Sequence, residues 1–318
     1  MADEILENVP VAPKKKHEGS IKRRKIIGNT AIYIILVIMC LVWLIPFVLI
    51  VLQSFNIDWY YNALEAGLKP GDNDFPRGGP IVNAIIPQHW GIKNYVNLFQ
   101  KSNFLKWYGG TFIIALATAA IQTIMVLTMA YTLSRLRFKG RKFLMNFMLI
   151  LGMFPGFLTM IVLYFLLKDM GLTSSGTIGG LILVYTASSG MGYYVSKGFF
   201  DTVPKSLDEA ARIDGANRLQ VMIKVILPLS KPIIIYTVLT AFMGPWGDFM
   251  FARIIAAGND QAYNVAVGLQ AFLTQDQIGK SYTLFCAGGV LVAVPVTILF
   301  MALQRYYVEG VTGGAVKG

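Results

Sequence analysis

Residues 32–52 read IYIILVIMCLVWLIPFVLIVL, a run with no charged side chain and no alternation of apolar and polar positions. A strand of a membrane barrel alternates over about ten residues. An unbroken apolar run of about 20 residues instead matches, as a helix, the roughly 30 Å hydrocarbon layer of a bilayer. Backbone groups inside lipid must satisfy one another, and a helix does this within a single segment. The whole chain has the same character. Of its 318 residues, 55% are hydrophobic and 14% charged, against about 25% charged in ordinary soluble domains. The mean hydropathy is +0.57. Such a composition excludes disorder, and it leaves no soluble basic face of the kind a nucleic-acid-binding domain requires. The chain reads as an all-α polytopic membrane protein.

Working outward, six segments are long and apolar enough to span: 26–52, 109–133, 143–167, 178–200, 232–256 and 282–303. The fourth is interrupted by Ser188, Ser189, Gly190 and Gly192. Charge orients them. Segments 1–25, 135–142, 197–231 and 305–318 hold 20 of the 28 Lys and Arg residues and the whole net charge of +11, while the remainder cancels. Basic loops stay on the cytoplasmic side, so both termini are expected there. Residues 1–25 form a basic, lipid-facing arm. Their apolar continuation is too long for the core of a cleaved signal peptide. The expected layout is this arm, a six-helix domain over 26–304 with an external loop at 56–108 and a cytoplasmic loop at 197–231, and a tail at 305–318. Cys40 and Cys286 lie within spans and read as packing residues. Trp59 and Trp107, near span ends, fit an interfacial aromatic belt, with a docking surface for an external partner as the alternative.

Catalytic chemistry is missing. His17 and His89 fall in the arm and the external loop, too far apart in the chain's expected layout to form a zinc site with the cysteines. Gly279-Lys280-Ser281 imitates part of a phosphate-binding loop, but Thr274 stands where that loop needs its first glycine. No metal or cofactor is expected in this chain.

The most informative loop is 197–231. Ser206 and Glu209 have the spacing of a capping box, Asp208 and Glu209 suit the positive end of a helix dipole, and Gly215 stands where a left-handed residue ends a helix. Asn217 and Gln220 form a second cap pair, and Pro228 is expected to break that second helix. Leu207, Ala210, Ala211 and Asp214 fall on neighbouring faces of the first helix. Its small alanines permit close approach either by another protein or by the chain's own bundle.

This loop resembles the EAA loop of ATP-binding-cassette importer permeases. Glu209-Ala210-Ala211 is followed by Gly215 and then by Val225-x-Leu227-Pro228, with Val225 at a position usually held by isoleucine. The flanking Gly198-Phe199-Phe200-Asp201-x-Val203-Pro204 and Leu227-Pro228-Leu229-Ser230-Lys231-Pro232 are similar to the carbohydrate-uptake branch. So are Tyr131-x-Leu133-Ser134-Arg135-Leu136-Arg137-Phe138-Lys139-Gly140-Arg141-Lys142, Met153-Phe154-Pro155-Gly156 and Trp246-Gly247-Asp248-Phe249. The end, Gly313-Gly314-Ala315-Val316-Lys317-Gly318, is similar to the tail of the smaller permease of maltose/maltodextrin importers. The resemblance covers about residues 90–318.

The resemblance implies a type I importer permease fold in a bacterial cell membrane. Its partners would be a second permease subunit, a cytoplasmic ATPase dimer carrying ATP and magnesium, and an external or periplasmic sugar-binding protein. Uptake, of an oligosaccharide such as a maltodextrin, would proceed by alternating access. By position, Glu209, Ala210, Ala211, Asp214, Gly215, Leu227 and Pro228 would couple to the ATPase. Gly313, Gly314, Lys317 and Gly318 would reach between its subunits. For the transport path, Asp248 is an acid within a span, about 24 Å from Pro232 along a helix and so near the outer surface. Trp246, Tyr185, Tyr193 and Tyr194 offer the aromatic faces sugars favour, with packing as the alternative role for each. The alternatives are an importer permease for another solute and a secondary transporter, which should show internal repeats and paired broken helices or several buried ionisable residues, where only Asp248 appears.

Overall fold

Long apolar runs become long helices. A computed structural model describes residues 18–80, 86–153, 156–187 and 192–315, and the chain divides between Leu49 and Ile50 into two compact units. Helix α1 is Glu18–Ser54 and contains the opening apolar run, with Pro46 inside it. The basic residues 14–16 lie outside the described residues. In the second unit, α2 (Asp58–Glu65) and α3 (Lys93–Lys101) belong to the first long loop, and α4 is Phe104–Arg135. Then follow α5 (Arg141–Gly152), α6 (Gly156–Asp169), α7 (Thr177–Ala187), α8 (Gly192–Thr202), α9 (Lys205–Ile213), α10 (Arg218–Val221) and α11 (Leu227–Leu229). The chain closes with α12 (Lys231–Gly247), α13 (Met250–Ala256), α14 (Val265–Ala271) and α15 (Ile278–Ala315). No β-strand occurs among the described residues; Asn56 and Trp90 make an isolated bridge.

Three helical stretches among the described residues are long and apolar enough to cross a membrane: Gly28–Ser54, Phe104–Arg135 and Ile278–Gln304. Counting each bent helix pair as one span raises the number to five. The expected spans 143–167, 178–200 and 232–256 are each divided. The first is split between α5 and α6, with Phe154 and Pro155 outside the described residues, and the second between α7 and α8, with Ser188, Ser189 and Gly190 outside them. In the third, the helix stops at Gly247, and Asp248 takes an extended conformation before α13 begins.

Helix α4 is the centre of the packing. Its first half contributes Phe104, Trp107, Ala115 and Ala119 to a cluster with Phe242 and Trp246 of α12, Leu269 of α14 and Leu284 of α15. Ile114 joins a second cluster with Leu181, Val184, Phe251 and Ile255. The second half supplies Val126, Ala130, Tyr131 and Leu133 to a third, with Tyr193, Phe200, Val221 and Ile226. Cys286 is buried in the packing, as expected, while Cys40 is exposed along α1.

Two tryptophans expected in an interfacial belt are core residues instead. Trp59 is 6% exposed and Trp107 is 5% exposed. The Trp59 indole donates to Asn94 Oδ1 at 2.9 Å, and the Trp107 indole donates to the carbonyl of Asp260 at 2.7 Å. Satisfying that polar edge is what permits burial. Asn94, fully buried, also donates to the Ser54 and Asn56 carbonyls and accepts from Thr283 Oγ1 of α15. Gly79 donates to the same threonine hydroxyl at 2.8 Å. The first long loop is thereby pinned to the last helix by polar contacts that its composition did not reveal. A Cβ at Gly268 would meet the Trp107 ring, so only glycine lets α14 approach α4 there.

Candidate functional site

The loop 197–231 is held by the end of α4. Arg135, whose side chain is 3% exposed, donates through Nη2 to the carbonyls of Phe200 and Val203, both at 2.8 Å. Its Nε lies 3.4 Å from Asp208 Oδ2 in α9. Next to it, Ser134 Oγ donates to Asp201 Oδ1 at 2.6 Å, and Lys197 Nζ donates to Asp201 Oδ2 at 2.5 Å. Burial works to raise the Asp201 pKa, but the hydrogen bonds from Lys197 and Ser134 outweigh it and hold the carboxyl below its usual value. The Tyr131 hydroxyl donates to the Arg218 carbonyl at 3.0 Å, reaching the second helical segment of the loop. One helix thus grips α8, α9 and α10 at once.

Helix α9 begins after Pro204 and ends in a Schellman turn. Ala216 N–H donates to the Ala211 carbonyl and Gly215 N–H to the Arg212 carbonyl, with Gly215 at φ +86°. The expected Ser206–Glu209 capping box does not form. The helix starts at Lys205, so Ser206 is already inside the first turn and Pro204 stands at the cap without a side-chain bond. The second expected cap does form. Asn217 Oδ1 accepts from Gln220 N–H and Gln220 Oε1 from Asn217 N–H. Pro228 does not break that segment. A π-helical turn, Met222–Ile226, precedes it and accommodates the missing N–H, and the chain bends by 87° only at Ser230.

Of the expected coupling residues, Glu209, Ala210, Asp214 and Gly215 are exposed, Ala211 and Leu227 are half-buried, and Pro228 is exposed. Around them Leu207, Ile213, Leu219 and Ile223 are also exposed, Ile213 to 87%. A short helix anchored through Asp208 therefore carries apolar side chains, Leu207 and Ile213, that no other described residue covers. Gly313 and Gly314 lie within α15, which continues to Ala315; Lys317 and Gly318 lie outside the described residues.

The expected path residues do not form one group. Tyr185 of α7 donates its hydroxyl to Asp248 Oδ2, a short bond between the two spans. Asp248 Oδ1 accepts from Phe251 N–H at 3.1 Å and so satisfies a free donor in the first turn of α13. Asn264 Nδ2 donates to the Asp248 and Pro245 carbonyls, closing the gap in the backbone pairing. Asp248 is the joint of a broken helix. Trp246, two residues earlier, packs against Tyr108, Phe112 and Phe242 in the core. Tyr193 and Tyr194 belong to the cluster of α4's second half, where Tyr194 donates to the Met145 carbonyl.

Arg135, Ser134, Asp201 and Tyr131 carry the anchoring, and sequence reading assigned none of them that role. Arg135 counted there as topology charge and as one residue of the Tyr131–Lys142 stretch that resembles the carbohydrate-uptake branch. Their common signal was adjacency: a polar Ser-Arg pair ending a long apolar helix.

Known proteins resemble this chain closely. A family model described as "binding-protein-dependent transport system inner membrane component" matches residues 126–313. The galactooligosaccharides transport system permease protein GanQ of Bacillus subtilis is 38% identical over 247 residues, 76% of this chain and 86% of that protein. The maltodextrin transport system permease protein MdxG of the same organism is 37% identical over 230 residues, 72% of this chain and 81% of that protein. The maltose/maltodextrin transport system permease protein MalG of Vibrio vulnificus is 35% identical over 262 residues, 77% and 87% respectively. Among solved structures, a chain of a bacterial transporter that imports the acidic polysaccharide alginate superposes with a TM-score of 0.70 at 21% identity, covering 90% of this chain and 98% of that one. That likeness speaks to fold.

Proposed function

This chain belongs to the family of binding-protein-dependent transport system inner membrane components, a membrane component and not an enzyme, and from that premise we propose that it is one of two permease subunits of an oligosaccharide importer. An external binding protein delivers the sugar, and a partner ATPase carrying ATP and magnesium drives alternating access. In this reading six spans leave both termini and the loops 135–142 and 197–231 in the cytoplasm, a layout supported by the 20 of 28 basic residues in those four segments. The relatives named for galactooligosaccharides and maltodextrins support an oligosaccharide as cargo.

One observation carries the coupling role. Helix α9 is bound through Asp208 and Arg135 to a membrane helix, while its own Leu207 and Ile213 stand exposed. Apolar side chains held on a stiff support suit a partner's groove. Glu209, Ala210, Ala211, Asp214 and Gly215 then form the ATPase contact, Leu227 and Pro228 brace it, and Gly313, Gly314, Lys317 and Gly318 extend towards the ATPase pair. Asp248 with Tyr185 acts as a hinge of the path, which leaves Trp246, Tyr193 and Tyr194 to shape its walls by packing.

The test is reconstitution of the assembled importer with its binding protein. Binding protein loaded with the right oligosaccharide should raise ATP hydrolysis several-fold over the empty form. No response across a panel of maltodextrins, galactooligosaccharides and other oligosaccharides would overturn the assignment.

A further inference from the structure

A cavity of about 390 Å³ opens between the end of α4 and helix α9. Six cationic residues line it: Arg135, Arg137, Arg141, Lys205, Arg212 and Arg218. Asp208 and Glu209 are the acids that share it, so the lining stays strongly positive. Asp208 is already engaged with Arg135. Within this wall three buried atoms make no hydrogen bond: Nε and Nη1 of Arg135, donors, and Oδ1 of Asp208, an acceptor. Nε faces Asp208 Oδ2 at 3.4 Å as an ion pair, which leaves Nη1 and Oδ1 for a ligand. Buried groups of this kind are costly when unmatched. A ligand that satisfies both must offer an acceptor anion and, close by, a hydroxyl donor.

We propose that this cavity binds a phosphate group bearing neighbouring hydroxyls, and that its source is the headgroup of an anionic phospholipid. The phosphate oxygens accept from Arg135 Nη1 and the surrounding guanidinium groups, in the geometry guanidinium favours. A headgroup hydroxyl donates to Asp208 Oδ1. The lipid source is argued from a second cavity, of about 370 Å³, which shares Arg137 and Arg141 with the first and adds Phe138, Gly140, Lys142 and Phe143. Phe143 is 74% exposed and stacks on Phe147 with ring centroids 6.0 Å apart. Cations for a headgroup therefore adjoin an exposed aromatic surface suited to acyl chains, the arrangement of a lipid site between membrane helices. Because Arg135 and Asp208 also fasten α9, the lipid would brace the coupling loop from behind, with Glu209 at the edge between the cavity and the ATPase face.

The experiment uses the assembled importer in detergent, with bound phospholipid counted by native mass spectrometry after exposure to phosphatidylglycerol or phosphatidylcholine. The wild type should retain phosphatidylglycerol preferentially. The double variant Arg137→Gln, Arg141→Gln should lose that retention on the order of tenfold, while Lys168→Gln, away from both cavities, should keep it. Arg135 is left intact so that α9 stays anchored. Equal retention of the two lipids, or equal loss in both variants, overturns the proposal. A further arm adds soluble glycerol 3-phosphate without lipid and follows the melting temperature. Stabilisation there with no preference for phosphatidylglycerol would overturn the lipid source. The lipid count needs no sugar and no ATP hydrolysis, so its outcome is separable from that of the importer assignment.

Discussion

Arg135 does at one position what a loop of short helices cannot do for itself. Two carbonyls at the end of α8 and a carboxylate in α9 converge on a side chain that is almost wholly buried. Removing one partner of a buried pair costs about 3–5 kcal/mol, since the other is left uncompensated. Arg135→Ala should therefore lower stability by that order, read as a drop in melting temperature of the purified protein in detergent. Asp208→Asn should cost less, because the two carbonyl bonds remain. An unchanged melting temperature in Arg135→Ala would show that the loop is held by other contacts. None of this was legible in the sequence, where Arg135 is one basic residue of a basic segment. Long-range pairing of Arg135 with residues 65 to 73 positions away leaves no local pattern.

At the scale of the element, what sequence could read were local rules. Gly215 ends α9 in the left-handed conformation, and Asn217 with Gln220 caps the next segment, both as their spacing predicts. The failures are also local. Ser206–Glu209 has the capping-box spacing, but Pro204 takes the cap position and the helix starts two residues too early for it to form. Pro228 loses its helix-breaking force because the π turn before it absorbs the missing bond. Gly215→Val tests the element itself. No neighbouring atom lies within 4 Å of a Cβ there, so the cost is conformational, about 1–2 kcal/mol or more for a branched residue. Uptake should be abolished while the amount of protein in the membrane stays normal. Normal uptake by this variant would remove α9 from the coupling role.

Across the whole molecule, the helical membrane class was readable because hydropathy and charge are sums that survive any local misreading. The division of spans was not. The break at Asp248 depends on a tertiary partner, Asn264, whose amide donates to the Pro245 and Asp248 carbonyls left unpaired there. Orientation belongs to this scale too. In a background with Cys40 and Cys286 replaced by Ala, Asp72→Cys should react with a membrane-impermeant maleimide on cells whose inner membrane is intact and accessible. Ile213→Cys should react only after permeabilisation. The opposite pattern would invert the assigned topology.

Helix α4 enters all three core clusters. Its 32 residues span about 48 Å, with Trp107 bonded near one end and Arg135 near the other. A tilt of about 5° about either end moves the other by about 4 Å over that length. Turned as one body, the helix would act as a lever held by hydrogen bonds at both ends, and a small rotation imposed at the guanidinium would displace the indole by several ångströms.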